Sequence, residues 1–201
     1  EEKITKVLEK KKIKFSGLIA LPGDASERKY FKIKHNKTNL ILMYDKNDKN
    51  LKKFLKVSKI LEKKVTIPKI IKDLRVDKVL LIEDFGDTEY SKFSDDRTKR
   101  KYYRFAIDAI VKIQKSSFNL PSYSIKEFLR EFNLFFEWYA PTCNKKLQLK
   151  INNLLTNLIK ITQGLPKVFV HRDYHINNLF FLNSRDNHFK CGWIDYQDAL
   201  L

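Results

Sequence analysis

The sequence predicts an α+β fold of two lobes: a small antiparallel β lobe over residues 1–86, then a mainly helical lobe over 87–201 with a late β-hairpin. Three observations predict it. Short apolar runs bounded by polar turns crowd the first lobe. Three longer stretches between residues 96 and 163 repeat their apolar residues at helical spacing. Near the end, two apolar runs flank one polar turn.

Residues 2–15 place Ile4, Val7, Leu8 and Ile13 near one face, as an amphipathic helix does. Leu18–Leu21, Tyr30–Ile33 and Leu40–Met43 read as three strands, the first two joined by a turn containing Gly23. A helix over 49–63 follows, its stripe formed by Leu51, Phe54, Leu55, Val57, Ile60 and Leu61, and Pro68 stops it from continuing. Ile70–Ile71 and Val79–Ile82 add two strands, giving the order β-β-β-α-β-β.

After Gly86 the spacing predicts helices over 96–116, 124–139 and 146–163. Ser124 and Glu127 form a capping box, in which each side chain satisfies a free backbone N–H of the other residue. Ile125, Phe128, Leu129, Phe132, Phe135, Phe136 and Tyr139 then make a core-forming face. Gly164 and Pro166 end the third helix. Val168–Val170, Leu179–Leu182 and Cys191–Ile194 read as strands, the last two pairing through the polar turn 183–189.

Composition sets bounds. With 43% hydrophobic residues, the chain has the apolar content to bury a core. No apolar run reaches a membrane span, and residues 1–12 hold no signal-like stretch, so no membrane partner is expected. Cys143 and Cys191 are too few for a disulfide framework and sit in no metal-type pair, which fits a reducing cytoplasm. The net charge of +17 invites a nucleic-acid reading. The lysines are spread along the whole chain, however, and a diffuse positive field equally attracts ATP, so no nucleic-acid partner is expected.

The chemistry gathers at 168–182, VFVHRDYHINNLFFL. An apolar strand delivers His171, Arg172 and Asp173 into a loop, and Asn178 precedes the next strand. This is H-R-D-x-x-x-x-N, the spacing of a kinase catalytic loop. Phosphoryl transfer needs a carboxylate beside the attacking hydroxyl and a neutral oxygen ligand for Mg²⁺. Asp173 and Asn178 fill those two needs from one short segment. Asp195, in GWIDYQDAL, ends an apolar strand that the hairpin returns to Asn178, so the two suit Mg²⁺ together. Other readings exist. His171, Asp173 and His175 alternate and on a strand would suit Zn²⁺, but that leaves Asn178 and Asp195 without a role. His171 reads as structural support for the loop, and Asp198 as a metal or substrate contact or else a residue that caps or pairs locally.

In order along the chain, LPGDASERKYFKI (21–33), LILMYD (40–45), LLIEDFGD (80–87), LREFNLFFEWY (129–139), VHRDYHINNL (170–179) and IDYQDAL (194–200) resemble the aminoglycoside phosphotransferase and choline kinase superfamily, whose fold is protein-kinase-like. Within it they look like the bacterial kinases that phosphorylate N-acetylmuramate and N-acetylglucosamine during cell-wall recycling. The resemblance implies ATP and Mg²⁺ as cofactors and a small-molecule hydroxyl as acceptor. It implies a phosphate-covering loop of Gly23, Asp24, Ala25 and Ser26. It also implies a hinge at Glu83, Asp84, Phe85 and Gly86 that reads adenine, with Leu81 and Ile82 near the base. Asp173 would be catalytic, and Asn178 and Asp195 the metal ligands.

Two departures matter. Kinases of this kind carry a lysine on the third strand, and here that strand reads Leu40–Asp45 without one. The sugar-kinase branch resembles this chain there, with a Met-Asp pattern of its own. Arg28, Lys29 and Lys46 are the candidate replacements, and the missing lysine also leaves room for a binding module without activity. The sequence given also stops shortly after Asp195, whereas the relatives' pattern continues into helices that shape the acceptor pocket.

Overall fold

Five strands make the antiparallel sheet that the apolar runs predict, in the order β1-β2-β3-β5-β4. They are β1 (Ser16–Ala20), β2 (Lys29–His35), β3 (Thr38–Tyr44), β4 (Ile70–Leu74) and β5 (Val79–Glu83). The computed structural model describes residues 2–22, 28–162 and 164–201. The chain divides into two compact units, Glu1–Lys115 with His171–Asp198, and Ser116–Val170 with Ala199–Leu201.

The first unit holds the sheet. β2 and β3 pair from Lys29↔Tyr44 to His35↔Thr38, and Asn36 and Lys37 both take positive φ between them. Two such residues make the tight turn whose twist matches the strands. Phe31, Ile33, Leu40, Leu42, Tyr44, Leu74, Val79 and Leu81 form one buried face, covered by Ile4 and Leu8 of α1 (Glu2–Lys10) and by Ile13.

α1 is shorter than its spacing suggests. Lys12 takes φ 54°, the N–H of Lys12 donates to the Glu9 carbonyl, and that of Ile13 to the Leu8 carbonyl. These two bonds satisfy the last carbonyls of a helix that has already stopped, and Ile13 belongs to the cap. α2 (Asp48–Leu61) likewise ends well before Pro68. Lys63 has φ 66°, and the N–H groups of Lys64 and Val65 turn back to the Leu61 carbonyl. Proline therefore does not set this boundary.

α3 (Asp96–Gln114) and the hairpin of β6 (Leu179–Phe181) and β7 (Cys191–Trp193) complete this unit. The hairpin pairs Leu179↔Trp193, Phe180↔Gly192 and Phe181↔Cys191, as expected from its two apolar runs. Backbone bonds tie it to the sheet's loops, from Trp193 N–H to the Thr66 carbonyl and from Phe181 N–H to the Thr88 carbonyl.

The second unit contains α4 (Ile125–Trp138) and α5 (Lys145–Thr162). The Ser124 side chain accepts the Glu127 N–H at 3.2 Å, and the Glu127 carboxylate meets Arg130 at 2.6 Å. Asn152 of α5 donates to Asn133 of α4 at 3.1 Å. The apolar face expected of α4 is only partly covered. Phe136 is buried, whereas Phe135 is 42% and Tyr139 80% exposed. α5 buries no residue fully, and Ile151, Leu155 and Ile159 along one face are half-buried. Among the described residues the expected strand at 168–170 is an isolated antiparallel bridge, Val170↔Leu200. Among the described residues no helix is long and apolar enough to cross a membrane.

Candidate active site

His171, Arg172 and Asp173 leave the end of an extended segment, and residues 176–178 form a single 3₁₀ turn before β6. Asn178 is thereby delivered to the hairpin's first strand. Its side-chain amide donates to the backbone carbonyl of Asp173 at 3.0 Å and lies 3.2 Å from Nε2 of His175. With its nitrogen so held, Oδ1 of Asn178 is left as an oxygen donor. Across the hairpin the N–H of Ile194 donates to the Asn178 carbonyl at 3.0 Å. The residue that follows Ile194 is Asp195, so the register brings its backbone close to that of Asn178.

Two backbone residues here adopt positive φ, Arg172 at 78° and Asp195 at 57°. A side chain makes this conformation costly, and such outliers gather at functional sites. Asp195 is held by Gln197, whose amide donates to Oδ1 at 2.7 Å. Oδ2 of Asp195 makes no hydrogen bond among the described residues. One amide oxygen and one carboxylate are donor types that suit Mg²⁺. Asp173 is exposed, and its carboxylate makes no hydrogen bond or ion pair among the described residues.

His171 is buried, its ring edge-on to Tyr174 and Trp193. Burial lowers its pKa to about 4 against the opposing pull of Asp195, so the ring is neutral at pH 7. Tyr174 anchors the loop by donating to the Ala106 carbonyl of α3 at 2.7 Å. Asp198 pairs with Lys53 of α2 and accepts from Gln197 at 3.2 Å. Burial opposes the charge of Asp198, but Lys53 and Gln197 hold its pKa below the usual carboxylate range. Its partner is distant in sequence, so Asp198 does more than cap locally.

Arg28 stands at the start of β2. Its Nε lies 3.5 Å from Asp45 Oδ2, and its Nη1 3.2 Å from the Tyr30 hydroxyl and 3.8 Å from Asp195 Oδ1. Burial opposes its charge, but Tyr30, Asp195 and Asp45 together outweigh burial and raise its pKa. Gly23, Asp24, Ala25 and Ser26 lie outside the described residues.

The residues expected to form the hinge are pinned to the hairpin and to the sheet. Glu83 accepts from Arg185 at 2.9 Å and from the Lys69 N–H at 3.2 Å. Asp84 pairs with Lys32 of β2 at 3.0 Å and accepts the Gly86 N–H at 2.8 Å. Phe85 packs on Phe180 of β6, with ring centroids 5.7 Å apart. Leu81 is not brought to this group: it lies in the core beneath α1, and its strand neighbours Leu80 and Ile82 face the other way. Gln197, Lys53 and Arg185 were not singled out from the sequence. The one signal for Gln197 was its place between two aspartates.

Residues 17–201 match the family described as "Phosphotransferase enzyme family". The N-acetylmuramate/N-acetylglucosamine kinase of Pseudomonas aeruginosa is 30% identical over 192 residues, 91% of this chain and 55% of that protein. This chain thus spans about half the length of that curated relative. The choline kinase LicA from Streptococcus pneumoniae superposes with a TM-score of 0.70 at 16% identity, covering 99% of this chain and 69% of that one. A thermostable mutant of an aminoglycoside phosphotransferase, in ternary complex with ADP and hygromycin B, gives a TM-score of 0.66 at 13% identity, covering 97% and 70%. The fold is therefore that of the protein-kinase-like phosphotransferases, and the chain belongs to the phosphotransferase enzyme family.

Proposed function

We propose that this chain is the nucleotide-binding and phosphotransfer portion of an ATP- and Mg²⁺-dependent kinase. Its acceptor is the hydroxyl of an amino sugar, N-acetylmuramate or N-acetylglucosamine, in cytoplasmic cell-wall recycling. One observation carries the reading. Asp173, Asn178 and the residue before Asp195 are joined by two hydrogen bonds of 3.0 Å, which supports a base and two oxygen ligands acting at one place.

In this reading residues 1–86 hold the nucleotide. Gly23, Asp24, Ala25 and Ser26 cover its phosphates with backbone N–H donors. The backbone of Glu83, Asp84 and Phe85 meets adenine, and Leu81 supports the strand from behind. Asn178 and Asp195 hold Mg²⁺, which when bound offsets charge on the phosphate oxygens. Asp173 orients the acceptor hydroxyl and takes its proton as the oxygen bonds to the γ-phosphorus. The bond from that phosphorus to the bridging oxygen breaks, and ADP leaves with the electron pair. Neutral His171 supports this loop through packing. The work is positioning and electrostatics.

The amino-sugar acceptor is supported by the curated relative and by charge. The net charge of +17 weighs mildly against a cationic aminoglycoside or choline. The test is ADP release from ATP and Mg²⁺ with N-acetylmuramate, N-acetylglucosamine, choline, homoserine and an aminoglycoside in turn. Turnover confined to the acetylated sugars is the expected result. Turnover on another acceptor would keep the kinase and sink the sugar, and nucleotide binding without turnover on any would favour a binding role.

A further inference from the structure

A kinase without the third-strand lysine needs another cation at its phosphates, and the structure narrows the choice to one. Met43 and Asp45 of the 40–45 segment are buried. Lys29 and Lys46, the flanking candidates, are both exposed to solvent. Arg28 is different: its side chain is 11% exposed, and that of Asp45, its partner, 2%.

Asp45 is built to hold a cation. Its Oδ1 accepts the Asn47 N–H at 2.8 Å, and its Oδ2 accepts from Asn50 of α2 at 2.9 Å. A carboxylate so deeply buried needs a positive partner as well, and Arg28 Nε at 3.5 Å supplies it. The guanidinium then reaches onward, with Nη1 3.8 Å from Asp195 Oδ1. Nη2 makes no hydrogen bond among the described residues. A planar fork anchored on one edge and open on the other suits phosphate oxygens.

We propose that Arg28 is the cation that binds the nucleotide's phosphates in place of the missing lysine, with Asp45 as its anchor. This rests on the nucleotide-binding reading above. Asp45 takes the part usually played by a helix glutamate. Glu62, the one glutamate late in α2, is exposed at the helix C-cap.

The test is calorimetric titration of the 201-residue chain with adenosine, ADP and Mg-ATP. Arg28→Gln alone leaves Asp45 buried and unpaired, so the variants are Arg28→Lys and the double change Arg28→Gln with Asp45→Asn. Asp195→Asn is the control for the underlying reading. The double variant is expected to weaken ADP and ATP by roughly 10- to 100-fold, the worth of a charged hydrogen bond, and to leave adenosine unchanged. Arg28→Lys should lose less. Unchanged ADP and ATP affinities in the double variant, with Mg-ATP weakened in Asp195→Asn, would overturn the role of Arg28 while the nucleotide reading stands. Equal weakening of adenosine and ATP would also overturn it, because the loss would then ignore the phosphates. A wild-type chain that binds none of the three would remove both.

Discussion

Gly192 of β7 lies against the ring of Phe85: a Cβ added at Gly192 would stand 2.7 Å from Cε2 of Phe85 and 2.9 Å from a methyl of Leu182. The hairpin that carries Asn178 and Asp195 therefore packs directly on the proposed hinge. Gly192→Ala would force Phe85 off its contact with Phe180. The expected cost is about 1–3 kcal/mol, as for other overpacked sites. Urea unfolding would measure it, and adenosine titration on the folded variant should show a weaker hinge. Equal stability and equal affinity would mean that Phe85 moves aside freely.

Asp173 and Asp195 are expected to fail in different ways. Asp173 is exposed and unpaired among the described residues, so Asp173→Asn should leave stability and Mg-ATP affinity unchanged. Turnover should fall by about 10²–10⁴, the usual contribution of a general base. Asp195→Asn should instead raise the Mg²⁺ concentration needed for nucleotide binding. A magnesium titration at fixed ATP, read by calorimetry and by rate, separates the two. Parallel losses in both readouts for both variants would contradict the division of labour.

Much of this site is legible in the sequence because its parts are local. The hairpin needs only two apolar runs and a polar turn, and its register brings Asp195 to Asn178. What was not legible depends on partners far along the chain. Lys53 meets Asp198 from α2, and Arg185 meets Glu83 from the hairpin turn. The run Val79–Ile82 is apolar throughout because both faces of that strand are buried. With no alternation to read, nothing marked Leu81 as facing α1. Just past α1, Lys12 takes the left-handed conformation. Glycine usually occupies that position, and its absence hid the boundary.

Stability should fall in mild acid through His171. Its pKa is lowered from 6.5 to about 4 in the fold, so between these values the unfolded chain binds a proton that the folded chain does not. Stability from this group is complete above pH 6.5 and is lost as pH falls toward 4. The full effect is on the order of 3 kcal/mol, at about 1.4 kcal/mol per unit. His171→Gln should flatten the slope of unfolding free energy over that range. An unchanged slope would assign the acid sensitivity to other groups.

The two cysteines should react at very different rates. Cys191 is fully buried in β7, and burial pushes its thiol up to about 11, against weaker pulls from Tyr90, Tyr174 and Trp193. At neutral pH it is a protonated thiol that reagent cannot reach, whereas the thiolate is the reactive form. Cys143 is partly exposed in the turn before α5. A disulfide reagent at pH 8 should therefore label Cys143 promptly and Cys191 only as fast as the hairpin opens. Because β7 precedes Asp195, a bound nucleotide that locks the hairpin should slow the second phase and leave the first alone. Prompt labelling of both cysteines, or a second phase indifferent to Mg-ATP, would show that the hairpin opens independently of the site it carries.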